Sequence, residues 1–380
     1  MRRSALSRAE AYLDWNATAP VRPEAASAVA AALACGGNPS SVHRGGRAAR
    51  RIIEHGRVAV GALIGAAPNG VVFVSGGTEA NHLALLGSGR QRVLVSAVEH
   101  ASVLGAISDA ERIPVDRDGV VVLDALANLL AAGKPSLVSV MLANNETGVV
   151  QPVAEIAAIA HENGALFHCD AVQAAGKMRL DLAETGADLL TLSAHKLGGP
   201  AGVGALVVTD GVDLTPIFRG GGQERGRRAG TENLAGIAGF AAAAEIAAAE
   251  IAAYDRVGAL RGALEAELLA AVPEAVIVGA AAPRLPNTCA VAMPGTPAET
   301  QVIALDLDGV MVSAGAACSS GKVGPSHVLA AMGTARDIAS STIRVSLGWS
   351  TTEADVSRFL ESWTALYRRR RGLVEEPRAA

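Results

Sequence analysis

Polar residues that could do chemistry directly follow several apolar segments of this sequence. One segment ends in His100, a second brings Asn144 and Asn145, and two more bring the set His168, Asp170, Gln173, Ser193, His195 and Lys196. Taken singly, such a histidine, aspartate or lysine is usually structural or solvated. Because the carboxyl ends of parallel strands meet at one edge of a sheet, we expect these side chains to converge.

A second feature is the strand pattern VVFVS, which runs through a Gly-Gly-Thr turn into a helical pattern. The free N–H groups of such a helix start can bind an anion, typically a phosphate, beside Gly77 and Thr78. Many turns of this kind bind nothing, so the turn alone leaves both interpretations open. The sequence contains neither G-x-x-x-x-G-K-[ST] nor G-x-G-x-x-G, which argues against a nucleotide-binding loop.

A lysine, a carboxylate, an imidazole ring and a phosphate cradle at one sheet edge are the groups that pyridoxal phosphate requires. The lysine can form a Schiff base, and the carboxylate can keep the pyridinium nitrogen protonated so that the ring accepts electrons. The helix start can hold the phosphate. The pattern therefore favours a pyridoxal-phosphate enzyme.

The elements that must position these groups are short apolar strand patterns separated by helical patterns. The strand patterns cover residues 71–75, 92–97, 136–142, 165–170 and 188–193. Strands separated by helices predict a parallel α/β sheet. Residues 202–208 follow their predecessor after a loop too short for a helical crossover, so we expect that pair to be antiparallel.

The C-terminal part of the chain has a different pattern. A Gly- and Arg-rich stretch at 218–230 precedes a long Ala-rich helical tract at about 231–271. Shorter strand patterns and a closing helix at 352–367 then predict a smaller α+β domain. The arginine run at 368–371 is expected to be a solvated helix end.

Composition excludes several protein classes. The 380 residues are 50% hydrophobic and 18% charged, and 33 Lys+Arg against 37 Asp+Glu give a net charge of −4. A disordered chain, a nucleic-acid partner and a membrane partner are therefore not expected. With no signal-peptide pattern and no apolar run of about 20 residues, the expected location is the cytoplasm. The four scattered cysteines predict neither a disulfide framework nor a metal site.

Eight segments carry a family resemblance: SGGTEANH, EHASVL, NNETGVVQP, HCDAVQAAGK, SAHKLGGPAGVGAL, GGGQERGRRAGTEN, LPNT and SAGAACSSG. Their order and spacing resemble those of the cysteine desulfurases of the NifS/IscS group, pyridoxal-phosphate enzymes of aminotransferase class V. The resemblance extends from residues 12–20 to residues 343–348. It implies the type I (aspartate-aminotransferase-like) fold, with a mostly parallel large domain and a small α+β domain.

The resemblance also implies domain limits. Residues 1–20 would form an N-terminal segment that packs near the small domain, and residues 21–255 the large cofactor-binding domain. Residues 256–380 would form the small domain, which carries the loop of the catalytic cysteine. The long helical tract would join the two domains.

Roles follow from the resemblance residue by residue. Lys196 would be the Schiff-base lysine, Asp170 the partner of the ring nitrogen, and His100 the residue that stacks on the ring and transfers protons. The remaining cofactor contacts would be Gln173 and Asn145 at the phenolic oxygen, with Gly77, Thr78, Ser193 and His195 at the phosphate. Thr231 would reach the phosphate of a neighbouring subunit, which implies a homodimer, and Asn38 and Arg344 would bind the substrate carboxylate.

Cys318 matches the nucleophile of this family. Its neighbours are mainly Gly, Ala and Ser, which predicts a mobile loop. The number of residues from Cys318 to Pro325 resembles that of the long-loop subgroup of this family, which implies a loop long enough to deliver sulfur directly to a partner. Cys35, Cys169 and Cys289 are expected to be buried small hydrophobes instead.

The implied function is removal of sulfur from L-cysteine, giving L-alanine and a persulfide on Cys318. The persulfide would pass to an iron–sulfur scaffold protein or another sulfur acceptor. A selenocysteine lyase, or another class V lyase or aminotransferase, is the alternative within the class, although a simple aminotransferase needs no thiol. A phosphate-binding module and a catalytically silent structural protein are disfavoured, the former because both nucleotide fingerprints are missing and the latter because Lys196, Asp170 and Cys318 are all present.

Overall fold

The fold is described from a computed structural model. The structure describes residues 10–131, 133, 136–315 and 326–372. Its strands are β1 (Ala11–Tyr12), β2 (Val71–Val74), β3 (Val93–Ser96), β4 (Glu111–Ile113), β5 (Leu137–Ser139), β6 (Leu166–Asp170), β7 (Leu189–Ser193), β8 (Gly204–Val208), β9 (Val276–Ile277), β10 (Thr288–Ala292), β11 (Val310–Met311), β12 (Ser313–Ala314) and β13 (Thr342–Ser346). The helices are α1 (Pro23–Cys35), α2 (Arg44–Leu63), α3 (Gly77–Gly87), α4 (Ala101–Leu104), α5 (Leu123–Ala131), α6 (Val153–Glu162), α7 (Leu182–Thr185), α8 (Leu234–Ala249), α9 (Ala253–Ala271), α10 (Ala298–Leu307), α11 (His327–Ala331), α12 (Arg336–Ser340) and α13 (Glu353–Arg370).

A seven-stranded sheet in the order β2-β8-β7-β6-β5-β3-β4 forms the centre of the larger part. The pairs from β7 through β6, β5 and β3 to β4 are parallel. Both pairs that β8 makes are antiparallel, as predicted from its short connection to β7. Strands β5, β6 and β7 are buried on both faces except at Leu166, which explains their continuous apolar runs.

A second, four-stranded sheet in the order β12-β13-β10-β9 is antiparallel throughout. It packs with α9, α10 and α13 around a separate core whose largest buried side chains are Phe359 and Trp363. Ala11 and Leu13 of the N-terminal segment belong to this core as well, and β1 pairs in parallel with β11. The predicted combination of a mostly parallel sheet and a smaller α+β part is confirmed.

The Ala-rich tract predicted as one helix at 231–271 is two helices, which corrects that prediction. Helix α8 ends at Ala249, α9 begins at Ala253, and their axes differ by 74°. The break serves two cores, because α8 packs Phe240 into the first core whereas α9 packs Leu264 into the second. The domain limits at 20/21 and 255/256 stay predictions.

A helix that crosses a membrane must be both long and apolar, and the helices of the described residues can be judged by these two properties. None of these helices alone is both long enough and apolar enough to cross a membrane. Only α8 and α9 taken together, across their bend, reach that length and composition.

A buried ion pair anchors the Gly- and Arg-rich segment at 218–231. Both Nη atoms of Arg57 lie 2.7 Å from the carboxylate oxygens of Glu224, and both side chains are almost fully buried. Glu224 also accepts the Phe73 N–H at 2.9 Å. Glu224 and Arg225 adopt positive φ angles of 48° and 57°, a conformation that costs free energy in residues other than glycine. The ion pair therefore holds an irregular segment to the edge of the large sheet.

We expect Glu224→Ala to lower the free energy of unfolding by about 3–5 kcal/mol, because it leaves the buried Arg57 guanidinium with only its longer 3.6 Å contact to the half-exposed Glu54. The double variant Arg57→Met with Glu224→Met, which buries no charge, should recover part of that loss. Urea unfolding followed by circular dichroism measures both. Equal losses in the single and the double variant would contradict the importance of the ion pair.

Candidate active site

A cavity of about 310 Å³ lies at the carboxyl ends of the parallel strands, where the sequence predicts convergence. Its wall also includes Asn16 and Ala17 from the N-terminal segment and Arg344 from β13, so residues packed with the second core close it. Of the residues predicted to act, ten line this cavity: Gly77, Thr78, His100, Asn145, Asp170, Gln173, Ser193, His195, Lys196 and Arg344.

Asn144 and His168 were expected at the same edge, and the structure corrects both expectations. Asn144 is buried, and its Oδ1 accepts the N–H groups of Glu146 and Thr147, which shapes the turn after β5. His168 lies two residues before the end of β6, so its ring is enclosed in the sheet rather than placed in the cavity.

The His168 ring is satisfied inside the sheet. Nδ1 lies 2.8 Å from Ser139 Oγ and Nε2 lies 3.0 Å from Thr191 Oγ1. Complete burial lowers the pKa of His168 to about 3, so the ring is neutral at physiological pH. Its role in this chain is structural.

Three predicted residues do not line the cavity. Asn38 is exposed in the connection between α1 and α2, where its Oδ1 accepts the Ser40 N–H. Thr231 is exposed at the end of the anchored segment at 218–231. Cys318 lies outside the described residues.

Lys196 lies in the short turn that follows β7. Its Nζ donates to the backbone carbonyls of Asn16 at 2.6 Å and Ala17 at 2.7 Å. These contacts hold the amine in the cavity, between the sheet edge and the N-terminal segment. The neighbouring His195 has a pKa lowered to about 4 by burial and by the positive charges of Lys196 and Lys177.

Asp170 ends β6 and faces the cavity. Its Oδ2 accepts Asn81 Nδ2 at 2.8 Å and its Oδ1 accepts the Val172 N–H at 3.0 Å. Both contacts come from neutral donors, so the carboxylate keeps its charge available for a cationic group in the cavity. Asn81 also donates to Ser102 Oγ, which links Asp170 to the His100 side of the site.

His100 caps α4 and is half-buried at the cavity wall. Its Nδ1 accepts the Ser102 N–H at 3.1 Å, and because a backbone N–H can only donate, we assign the proton of the neutral ring to Nε2. Burial lowers the pKa of His100, and Lys196 and His327 act in the same direction, although Asp170 raises it. The ring is therefore neutral at physiological pH.

Helix α3 starts at the cavity, so its first N–H groups are available to an anion beside Gly77 and Thr78. A Cβ at position 77 would approach Val172 Cγ2 to 3.1 Å, which favours glycine there. Glu79 in the first turn would repel an anion. However, Arg228 pairs with it at 2.8 Å, so the helix start stays attractive to a phosphate.

Arg344 of β13 also lines the cavity. Its Nη2 donates to Asp14 at 2.8 Å and its Nη1 to the Asn145 carbonyl at 3.0 Å. Its Nε is buried and has no hydrogen-bond partner within the residues that the structure describes. The guanidinium as a whole lines the cavity, and its planar group suits a carboxylate.

Two residues of the site escaped the sequence analysis. Asn16 is buried, and its carbonyl accepts both Lys196 Nζ and Gln173 Nε2. Lys177 is also buried, and its Nζ lies 2.7 Å from Gln173 Oε1 and 3.0 Å from Asn16 Oδ1. Its position four residues after Gln173 was the one available signal.

The donor set fits the predicted cofactor. The cavity offers an amine, a carboxylate for a ring nitrogen, and a helix start for a phosphate, on Lys196, Asp170 and α3 respectively. Gln173 and Asn145 add amide groups, and His100 adds an imidazole. These are the groups that pyridoxal phosphate requires.

Comparisons with known proteins agree with this geometry. The family model described as aminotransferase class-V matches residues 11–359. A cysteine desulfurase of Cereibacter sphaeroides is 46% identical over 92% of this chain and 94% of its own length. One of Klebsiella pneumoniae is 41% identical over 96% and 94%. The X-ray structure of a NifS-like protein from Rickettsia africae ESF-5 is similar with a TM-score of 0.88 and 35% identity, covering 94% of this chain and 99% of that one.

The buried His168 predicts a specific acid sensitivity. Its folded pKa of about 3 lies below the ordinary value of 6.5, so the unfolded chain binds more protons between these values and stability falls as the pH falls. We expect His168→Gln, whose side chain does not titrate, to flatten this dependence by up to about 1.4 kcal/mol per pH unit. Urea midpoints between pH 7 and pH 5 measure the slope. A half-buried histidine on α3 supplies the control variant His82→Gln, and a slope unchanged in His168→Gln would overturn the assignment.

Proposed function

Because this chain belongs to the aminotransferase class-V family and is a cysteine desulfurase, we propose that the cavity around Lys196 is its active site. The family uses pyridoxal phosphate, and L-cysteine is the substrate of a cysteine desulfurase. The observation that carries the proposal is that Lys196, Asp170 and the start of α3 line one cavity.

In this proposal Lys196 Nζ attaches the cofactor covalently. Asp170 holds the proton on its ring nitrogen, and the start of α3, with Ser193 and His195, binds its phosphate. The bound cofactor supplies an electron sink for the charge that develops at the substrate Cα. Support for Asp170 comes from its two neutral hydrogen-bond donors, which leave its negative charge for the ring nitrogen.

Arg344, together with Asn38, binds the carboxylate of L-cysteine in the proposal. The position of Arg344 in the cavity wall supports this role, since a guanidinium can bind both oxygens of a carboxylate. Arg344 pairs with Asp14, so the incoming carboxylate competes with or joins that ion pair. Lys196 Nζ, once the substrate amine displaces it, takes the Cα proton, and His100 holds a proton at Nε2 beside the same centre.

We further propose that Cys318 takes the sulfur. Its thiolate attacks the sulfur of the substrate, a new S–S bond forms, and the substrate C–S bond breaks with its electron pair left on carbon. Protonation of that carbon, followed by return of a proton from Lys196 Nζ to Cα, gives L-alanine, and the enzyme retains a persulfide. A thiolate is the reactive form of cysteine, so the step requires Cys318 to be deprotonated.

The persulfide then passes to an iron–sulfur scaffold protein or another sulfur acceptor. We place the reaction in the cytoplasm, where thiols stay reduced; the three cysteines in the described part of the chain are free, in agreement with such a compartment.

We also propose a homodimer in which Thr231 reaches the cofactor phosphate of the partner subunit. Support comes from the exposure of Thr231 and from Phe218, which is 53% exposed on the same segment. The Arg57–Glu224 ion pair fixes this segment, so the chain presents a preorganised surface rather than a loose loop.

Cys318→Ser and Lys196→Ala should separate the two halves of the proposed reaction. Cys318→Ser should keep the yellow cofactor and its spectral response to L-cysteine but release no sulfide, because a hydroxyl is a far poorer nucleophile than a thiolate. Lys196→Ala should not be labelled by borohydride reduction of the cofactor. Alanine and sulfide assayed together in the presence of a reductant measure the outcome.

Cys35→Ser is the matched control, since Cys35 is half-exposed whereas Cys169 and Cys289 are buried. Burial raises the pKa of both buried thiols, which keeps them protonated. Sulfide release at the wild-type rate by Cys318→Ser, or loss of release in Cys35→Ser, would remove Cys318 from the reaction.

Mixed dimers test the cross-subunit role of Thr231. A dimer of one Lys196→Ala subunit and one Thr231→Ala subunit contains one site with both residues intact if Thr231 acts on the partner. We therefore expect the site with the intact Lys196, on the Thr231→Ala subunit, to bind pyridoxal phosphate with wild-type affinity. The sites of the Thr231→Ala homodimer should bind it more weakly. Equally weak binding in both would show that Thr231 acts within its own chain, and wild-type affinity in both would show that it does not contribute to binding.

A further inference from the structure

The amide of Gln173 is held in one orientation. Lys177 Nζ lies 2.7 Å from Oε1, and the Asn16 carbonyl lies 3.0 Å from Nε2. An ammonium group can only donate hydrogen bonds and a carbonyl can only accept them. The two contacts therefore assign the oxygen to the Lys177 side and the nitrogen to the Asn16 side, which settles the usual ambiguity of an amide group.

Lys177 is held equally firmly. Its Nζ also donates to Asn16 Oδ1 at 3.0 Å, and the orientation of that oxygen is fixed in turn by Asn287 Nδ2. Lys177 is only 2% exposed. No carboxylate pairs with it in the described ranges, and its two hydrogen bonds are with the amide oxygens of Asn16 and Gln173. Burying an amine costs free energy unless the amine is hydrogen-bonded, so the buried position of Lys177 depends on these two acceptors.

The fixed orientation has a consequence for the cavity. Gln173 Nε2 carries two N–H groups, and the Asn16 carbonyl accepts one of them. Within the part of the chain that the structure describes, no second acceptor contacts Nε2, and Gln173 lines the cavity. The second N–H is therefore available to a ligand atom that accepts hydrogen bonds.

We propose that Lys177 is a positioning residue that holds the N–H of Gln173 towards the cavity, so that the site selects the ionised phenolic oxygen of pyridoxal phosphate. This inference rests on the proposed function, because it concerns the cofactor assigned to this cavity. Lys177 acts through Gln173 and contacts neither the cofactor nor the substrate. Without Lys177, the amide is held only by the Asn16 carbonyl at Nε2, so its N–H is directed towards the cavity less firmly.

The electrostatic surroundings favour the same ionised form. The charged or titratable groups that face the cavity are Asp170, His100, His195, Lys196 and Arg344, and Lys177 lies behind Gln173. Burial lowers the pKa of Lys177, and the charges of Lys196 and Arg344 lower it further. A neutral Lys177 still has the two N–H groups that its two acceptors need, so the orientation of Gln173 does not depend on the charge of Lys177.

The test uses the cofactor-loaded protein and the pH midpoint of its visible absorption band. Lys177→Met keeps the length of the side chain but removes the donor. We expect the midpoint to rise by about 0.5–1 pH unit, the shift equivalent to the net strength of one hydrogen bond. The midpoint reports loss of the proton from the nitrogen that joins the cofactor to Lys196. It should rise because the N–H of Gln173 stabilises the phenolate most when that nitrogen carries no proton to balance the phenolate charge.

A double-mutant cycle separates positioning from a direct effect of charge. In a Gln173→Met background, Lys177→Met should change the midpoint by less than about 0.2 pH unit relative to Gln173→Met alone. Additivity fails for residues that act through each other. A full additional shift in that background would overturn the proposal.

Gln173→Glu serves if Lys177→Met does not fold. It keeps an oxygen for Lys177 but offers no N–H to the cavity, so its midpoint must rise, and an unchanged midpoint would overturn the proposal. Thermal unfolding of the cofactor-free variants establishes that each is folded. If the protein shows neither a visible band nor a cofactor fixed by borohydride, the proposed function itself is wrong. If a visible band is present but its midpoint does not move in Lys177→Met, only this inference is wrong.

Discussion

The hydrogen bonds of Asn16 are the constraint on which the cavity depends. Its backbone N–H donates to Ser346 Oγ, its carbonyl accepts Lys196 Nζ and Gln173 Nε2, and its amide donates to Thr288 Oγ1. Through one residue, the lysine and the glutamine of the cavity are thus tied to the strands β10 and β13 of the second core. The large sheet provides the floor of the cavity, and this junction closes its wall.

The charge distribution at this junction suits an anionic ligand. The positive groups are Lys196 and Arg344, which together with burial lower the pKa of the neighbouring Lys177, while burial keeps the histidines His100 and His195 neutral by lowering their pKa values. Asp170 also lines the cavity, and its hydrogen-bond contacts are neutral donors. Separated charges of this kind can orient a ring that carries a phosphate at one end and a protonated nitrogen at the other.

The sequence was sufficient for the parts of the site that depend on local pattern. Apolar strands followed by polar residues predicted that Asp170, His100 and Lys196 would meet, because carboxyl ends of parallel strands share an edge. The same rule failed for His168, since it does not distinguish a residue inside a strand from one at the end of that strand. Asn16 was missed because its partners lie far away in the sequence, which no residue pattern records. Lys177 lies four residues from one partner, Gln173, but its second partner, Asn16, is 161 positions away. The break between α8 and α9 was missed for a related reason, as two separate cores impose it on a uniformly helix-forming tract.

The Asn16 junction also dictates when the site can form during synthesis. Asn16 emerges from the ribosome well before its partner Ser346, which lies 330 positions later in the chain. The strands β5, β6 and β7 can pair while translation continues, because their contacts are closer in sequence. A nascent chain can therefore carry a folded sheet with Lys196 already in place, but its cavity stays unclosed until translation has passed β13.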